Sequence, residues 1–260
     1  MIKLINEFEE FSEQEGAEAS SVMDLPIKEV KDPLYQQEFY SRIYNSWDLS
    51  RFLDQNWLMN LISLGNSGRL TEACVKEIEH HTKVLQFGAT FGDQIEKTAE
   101  QVGHYGHYDI VDVNQVQLNR LRGRYETLYP QIRYIHLDAE DPLPERYDTV
   151  ICYMLLHELP IVSKVNVIKN ALNSINEGGK VVFIDYAEPS YWHPLRYIVR
   201  MFNRLYQPFA EKLWDRGIDT FVENNIDYVW HKTRYFGGMY QKVVVTRRPK
   251  LYEDNYGYNY

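Results

Sequence analysis

From Lys83 onward, short apolar runs alternate with helical patterns, and this alternation constrains the fold more than any other feature. The strand candidates are residues 83–87, 108–112, 132–136, 147–152, 179–185 and 240–246. Helical spacing occupies 93–102, 114–128 and 163–175. A β-α-β-α succession with short links predicts a doubly wound, Rossmann-like α/β fold around a mostly parallel sheet. The final run, Tyr240 to Thr246, is expected to be an antiparallel last strand.

The first unit of this pattern holds the first candidate site. Val84 and Leu85 read as a buried strand, Gly88 and Gly92 bracket a turn, and Gln94 to Ala99 begin a helix. That layout brings backbone N–H groups up to a nucleotide-like ligand. Two glycines four apart also suit an ordinary strand-to-helix turn, so later residues must decide. Asp112 ends the second strand 24 residues beyond Gly88, where an acid can accept from both hydroxyls of a ribose. It could equally cap the helix beginning near Asn114. Asp138-Ala139 follow the third strand, and Tyr153-Met154-Leu155-Leu156-His157-Glu158 follow the fourth. Asn176 to Asp185 supply a glycine turn and the fifth strand.

His157 and Glu158 are the polar pair with the most chemical potential. A neutral histidine at a strand end can act as a general base, or bind a metal beside a carboxylate. Glu158 and Asp185 are the candidate metal partners; a hydrogen-bonded histidine at a helix start is the plainer reading. His80, His81, His104 and His107 sit on surface-like segments and read as solvated.

The 260 residues, 44% hydrophobic and 25% charged, suffice for a soluble globular domain. A formal net charge of −9 argues against broad nucleic-acid binding. Much of that charge lies in residues 1–20, which hold six Glu and one Lys. Cys74 and Cys152 match no metal or redox spacing, which favours a reduced, cytoplasmic setting. No apolar run is long enough to span a bilayer.

Outside the alternating region, residues 1–32 read as an acidic tail or short helix. Residues 33–248 read as one domain, and 249–260 as a Tyr-rich tail. Between 35 and 62, aromatic and aliphatic residues recur at spacings of three and four, which predicts a helical lid. Its aromatics are either simple core, or Tyr40, Tyr44 and Trp47 close over a ligand. The stretch 188–239 is too long for a simple connection and is expected to be a helical insertion facing substrate or membrane. Within it Arg196, Arg200 and Arg204 recur every four residues opposite Ile198, Met201, Phe202 and Leu205. Such a basic amphipathic helix suits either a membrane surface or docking on the sheet.

Taken together, these motifs resemble the class I S-adenosylmethionine-dependent methyltransferases, especially those acting on ubiquinone and menaquinone precursors. The resemblance covers about residues 83–186 plus the last strand and implies a seven-stranded sheet. It assigns Gln86, Gly88, Thr90 and Gly92 to the methionine part of S-adenosylmethionine, Asp112 and Val113 to its ribose, and Asp138 and Ala139 to its adenine. The chain departs from the family pattern where Gln86 replaces an acid and Thr90 replaces the middle glycine. An acid there would help place the ligand's ammonium group.

Gln86 with Gly92-Asp93, the Tyr40/Tyr44/Trp47 stretch, the Leu155 to Glu158 turn and Trp192-His193-Pro194-Leu195-Arg196 also resemble the rhodoquinone-biosynthesis enzymes. Pro208-Phe209-Ala210 and Phe236 to Lys242 add to that likeness. It implies amine transfer from S-adenosylmethionine to ubiquinone, a long-tailed quinone met at a membrane surface, with manganese (Mn²⁺) as a cofactor. His157, Tyr153 and Tyr44 are then candidate catalytic residues, and Tyr40, Trp47 and His193 candidate substrate contacts. The alternatives are conventional methyl transfer to a quinone precursor or other aromatic molecule, and a non-catalytic ligand-binding relative.

Overall fold

A computed structural model describes residues 55–191, 194, 217–222 and 225–249. Tyr40, Tyr44, Trp47, His193, the arginine-bearing stretch 196–205 and both tails lie outside the described residues.

The described chain runs α1 (Asn56–Ile62), α2 (Ser67–Val75), β1 (Lys83–Phe87), α3 (Gln94–Val102), β2 (His107–Asp112), α4 (Gln115–Tyr125) and β3 (Ile132–His136). It continues through β4 (Tyr147–Tyr153), α5 (Ile161–Asn173), β5 (Ile175–Tyr186), β6 (Tyr228–Tyr235) and β7 (Tyr240–Arg247). Seven strands lie in the order β3-β2-β1-β4-β5-β7-β6. β1 pairs in parallel with β2 and β4, while β7 runs antiparallel to both β5 and β6. The doubly wound α/β expectation and its antiparallel last strand therefore hold.

Period-two alternation assigns each strand residue to one of two apolar layers. Val84, Ile151, Val182 and Ile184 join Leu70, Ile95 and Leu118 of α2, α3 and α4 in one layer. Leu85, Phe87, Val150 and Phe183 join Val167 and Ile168 of α5 in the other. Gln86 falls on the same face as Val84, so its amide is buried against α3 rather than presented along the strand axis.

One expectation needs correction. Residues 188–239 are not helical throughout, because 228–235 form the edge strand β6, paired with β7 over eight residues. Its central His231, Lys232, Thr233 and Arg234 are exposed. An edge strand facing water carries no apolar alternation, and charge on such an edge discourages unwanted pairing. Ahead of β1, helix α2 begins at Ser67 and ends at Val75.

The two ends of the sheet differ in kind. At the N-terminal ends of the strands, buried Asp109 accepts from Arg133 at 3.0 and 2.5 Å and from the Tyr147 hydroxyl at 2.8 Å. Arg133 also bridges to Glu145, which pairs with Lys83. That network satisfies a buried acid and ties four strands together. The C-terminal ends open into a cleft where the connections diverge, between β1 and β4, the usual ligand position in open α/β sheets. Among the described residues no helix is long and apolar enough to cross a membrane.

Candidate ligand and active site

The cleft has a volume of about 220 Å³ and follows the ends of β1, β2, β4 and β5. Gly88 lies on its floor with φ of +90°, and Gly92, φ +84°, closes the turn behind it. A Cβ on Gly88 would stand 3.5 Å from Leu155 Cδ1, so this position needs glycine for backbone conformation more than for space. Leu155 arrives there because Met154 also adopts a left-handed backbone, φ +51°, with its N–H held by Ile184 O at 2.7 Å. Such a residue costs about 1 kcal/mol or more and persists where the surroundings enforce it.

Behind the turn lies a closed amide pair. Gln86 Nε2 donates to Gln94 Oε1 and Gln94 Nε2 donates to Gln86 Oε1, both at 2.9 Å. Gln86 also donates to Gly88 O at 3.1 Å and accepts from the Tyr108 hydroxyl at 2.6 Å. Gln94 donates further to Thr98 Oγ1 at 3.0 Å and accepts from Thr90 Oγ1 at 2.7 Å. Each side-chain amide thus makes its full complement of four hydrogen bonds. Gln86 does not line the cleft and has no capacity left for a ligand. Its assignment to direct ligand contact is corrected accordingly.

Gln86→Leu would leave Gln94, Tyr108 and Gly88 with buried unpaired groups. The expected loss is about 3 kcal/mol, or roughly 6–12 °C in Tm. Thermal melting checks this; the Gln86→Leu/Gln94→Leu double variant should cost less than the sum of the singles.

Asp112 closes the other wall. One carboxylate oxygen accepts from Ala89 N at 2.6 Å, the other from Asn114 N at 2.7 Å. The helix cap is instead Asn114, whose side chain accepts from Val116 N and Gln117 N. Asp112 therefore ties β2 to the glycine turn and still faces the cleft. Burial pushes its carboxyl up to about 6, against the backbone bonds from Ala89 and Asn114 and the charges of Arg120 and His136.

The sign follows. Protonated Asp112 favours the fold, a contribution complete below the unfolded value of 3.8 and lost as pH rises through about 6. A ribose bound as donor needs the ionised form, so affinity should fall tenfold per pH unit below about 6, as calorimetric titration would show.

At the far end, His157 is 4% exposed yet reaches the cleft wall. Its Nδ1 lies 2.9 Å from Asp185 Oδ1, and its backbone N–H donates to Asp185 Oδ2 at 3.2 Å. A carboxylate there fixes the proton on Nδ1 and leaves Nε2 as the base, 3.8 Å from Glu158 Oε1. Burial lowers the imidazole pKa, but the Asp185 charge and hydrogen bond, with Glu158, outweigh it and raise the net value. The Tyr186 ring stands edge-on to His157 at 4.7 Å and stacks on Tyr240 at 5.3 Å. Tyr153 lines the same wall, its hydroxyl 3.4 Å from Thr71 Oγ1, and burial raises its pKa.

The geometry does not fit the expected His157/Glu158/Asp185 metal set. Asp185 binds the opposite side of the imidazole, also accepts from Tyr186 N at 2.7 Å, and is fully buried. Among the described residues no group of three metal-ligating side chains comes together. The exposed His80 and His81 stay apart from the cleft, as expected.

Residues 84–179 match the family described as "Methyltransferase domain". By structure, an O-methyltransferase family protein from Burkholderia thailandensis aligns with a TM-score of 0.62 at 14% identity, covering 86% of this chain and 66% of that one. This is a class I methyltransferase fold. A second solved methyltransferase, the N-methyltransferase NodS from Bradyrhizobium japonicum WM9 in complex with S-adenosyl-l-homocysteine, gives 0.51 at 15% identity, over 84% of this chain and 100% of NodS. By sequence, the ubiquinone/menaquinone biosynthesis C-methyltransferase UbiE of Vibrio campbellii (strain ATCC BAA-1116) is 25% identical over 111 residues. That is 41% of this chain and 42% of UbiE, so the chain spans less than half the length of that relative.

Within this methyltransferase fold the cleft gathers Gly88, Thr90, Asp112, Val113, Asp138, Ala139, Tyr153, His157 and Glu158 from the sequence-derived set. Gly92 turns away toward Met59, with its Cβ position 3.4 Å from Met59 Cγ. Tyr186 and Tyr240 were not singled out by sequence; they meet only because β5 and β7 pair them in register. Gln94 likewise gains meaning only from its position opposite Gln86.

Proposed function

We propose that this chain uses S-adenosylmethionine as a group donor to a quinone-type aromatic small molecule. The observation that carries the reading is one continuous cleft with the glycine turn, Asp112 and Asp138-Ala139 at one end and His157 at the other. Ionised Asp112 accepts the ribose hydroxyls, and Asp138-Ala139 flank the adenine. Tyr153, Met154 and Tyr186 form the wall against which a flat ring packs. His157 Nε2 takes a proton from the reacting group, and Asp185 holds the imidazole in orientation. The quinone-related name of the UbiE relative favours this substrate class.

The turn bears on which group is transferred. With Gln86 closed into its amide pair, β1 offers no acid to hold the donor's ammonium group. That favours transfer of the amine, as the rhodoquinone resemblance implies. The nitrogen bonds to a methoxy-bearing ring carbon, its proton passes to His157, and the methoxy group leaves as methanol. The donor's carbon–nitrogen bond then breaks with loss of a neighbouring proton, leaving the amine on the ring. Conventional methyl transfer is the second reading, favoured by the methyltransferase names of the relatives. There a substrate oxygen or carbon, deprotonated by His157, attacks the donor methyl. Incubation of the full chain with ubiquinone and S-adenosylmethionine, with and without Mn²⁺, followed by mass spectrometry of the quinone, decides between them. An aminoquinone supports amine transfer; a methylated product with no aminoquinone overturns it.

A further inference from the structure

Resting on the reading that S-adenosylmethionine lies along this cleft, we propose that Arg120 is a positioning residue coupling the glycine turn to the ribose-binding carboxylate. Arg120 lies on α4 and is 5% exposed, well inside the domain. Removing a guanidinium from water costs several kcal/mol unless its surroundings compensate. Nη2 donates to Thr90 O at 2.8 Å, Nε donates to Gln117 Oε1 at 3.0 Å, and the guanidinium stacks over the Phe91 ring at 4.6 Å. Two consecutive turn residues, Thr90 and Phe91, are thus held by one side chain from the helix that follows β2.

Asp112 joins the same turn, accepting from Ala89 N next to Thr90 at 2.6 Å, and Arg120 and His136 both favour its ionised form. They differ in placement: His136 is an exposed residue of β3 whose Nε2 meets Val113 O at 2.8 Å, whereas Arg120 is buried in α4. Arg120 does not line the cleft, so it acts through Thr90 and Asp112 rather than by touching a ligand. Its role matters because Thr90 stands where the family pattern has a glycine. The Thr90 hydroxyl donates to Gln94 and its carbonyl accepts from Arg120, which fixes both polar groups of a residue at the cleft wall.

Calorimetry of S-adenosylhomocysteine binding to the full chain, at pH values on both sides of about 6, tests the coupling. Arg120→Met should move the acid limb of binding up by about one pH unit. The loss would then be about fivefold greater at pH 6, and about tenfold greater well below it, than far above it. A merely structural role would weaken binding equally at every pH, and that result overturns the proposal. Arg120→Lys keeps the charge but not the planar fork on Thr90 and Phe91. It should leave the acid limb in place while amide hydrogen exchange at residues 88–92 speeds up. Unchanged exchange in that variant overturns the hold on the turn, even if Arg120→Met fails to fold. If the wild-type chain binds no S-adenosylhomocysteine, the cofactor reading fails instead, while the exchange experiment still reads Arg120's hold on the turn.

Discussion

His157→Ala is expected to lower turnover by about 10²- to 10⁴-fold while S-adenosylmethionine affinity stays nearly unchanged. The imidazole follows β4, apart from the glycine turn and Asp112, so under the proposed function its loss removes a base rather than a cofactor contact. Asp185→Asn separates the base from its support. The asparagine can still accept from Nδ1–H, but it no longer carries the charge that raises the imidazole pKa. The wild-type base is free only above a pKa raised from 6.5, so activity should climb with pH through that raised value. In Asp185→Asn the acid limb of kcat/KM should move to lower pH, and maximal turnover should drop with the loss of orientation. The fold responds with the opposite sign. The ionic His157–Asp185 pair contributes its stability below the ordinary histidine range and loses it as pH rises through the raised pKa. Turnover measured across pH beside thermal melting separates the two effects; coincident limbs in wild type and Asp185→Asn would contradict the assigned roles.

Asp112→Asn should weaken S-adenosylmethionine binding by about 100-fold or more. Two hydrogen bonds from a ribose to a carboxylate are each worth about 1.5–3 kcal/mol, and 1.4 kcal/mol is tenfold in affinity. The substitution has a second effect within the chain. Asp112 accepts from Ala89 N on one oxygen and Asn114 N on the other. An asparagine can serve only one of them, because its NH₂ would face the other N–H. A lowered Tm in the ligand-free protein is therefore expected alongside the binding loss. Melting with and without S-adenosylhomocysteine checks both, and the ligand-induced rise at a given ligand concentration should be smaller in Asp112→Asn.

Sequence alone carried the strand-and-helix alternation from Lys83 to Thr246, because buried parallel strands read as continuous apolar runs and the helices keep their spacing. It also brought Asp112, Asp138 and His157 to one cleft, because they follow strand ends, where position along the chain predicts position in space. The residues it could not place depend on lateral register. Gln94 meets Gln86 across the turn, and Tyr186 meets Tyr240 through the pairing of β5 with β7. No linear spacing encodes such meetings. β6 was missed for another reason: His231, Lys232, Thr233 and Arg234 are polar and exposed in succession, so the alternation that marks a strand is absent. Asp185 was a candidate metal partner by its type and position, yet its hydrogen bonds go to His157 and Tyr186. The departure at Gln86 was visible at once, but its meaning was not. Only the structure reveals the closed amide pair that takes up its hydrogen bonds.

A structure of the full chain with S-adenosylhomocysteine tests the central claim most directly. The account predicts both ribose hydroxyls within hydrogen-bonding distance of the Asp112 carboxylate, the adenine beside Asp138 and Ala139, and the Gln86–Gln94 pair intact with no contact to the amino group. Ligand bound elsewhere, or Gln86 swung out of its pair onto the ligand's ammonium, would contradict it.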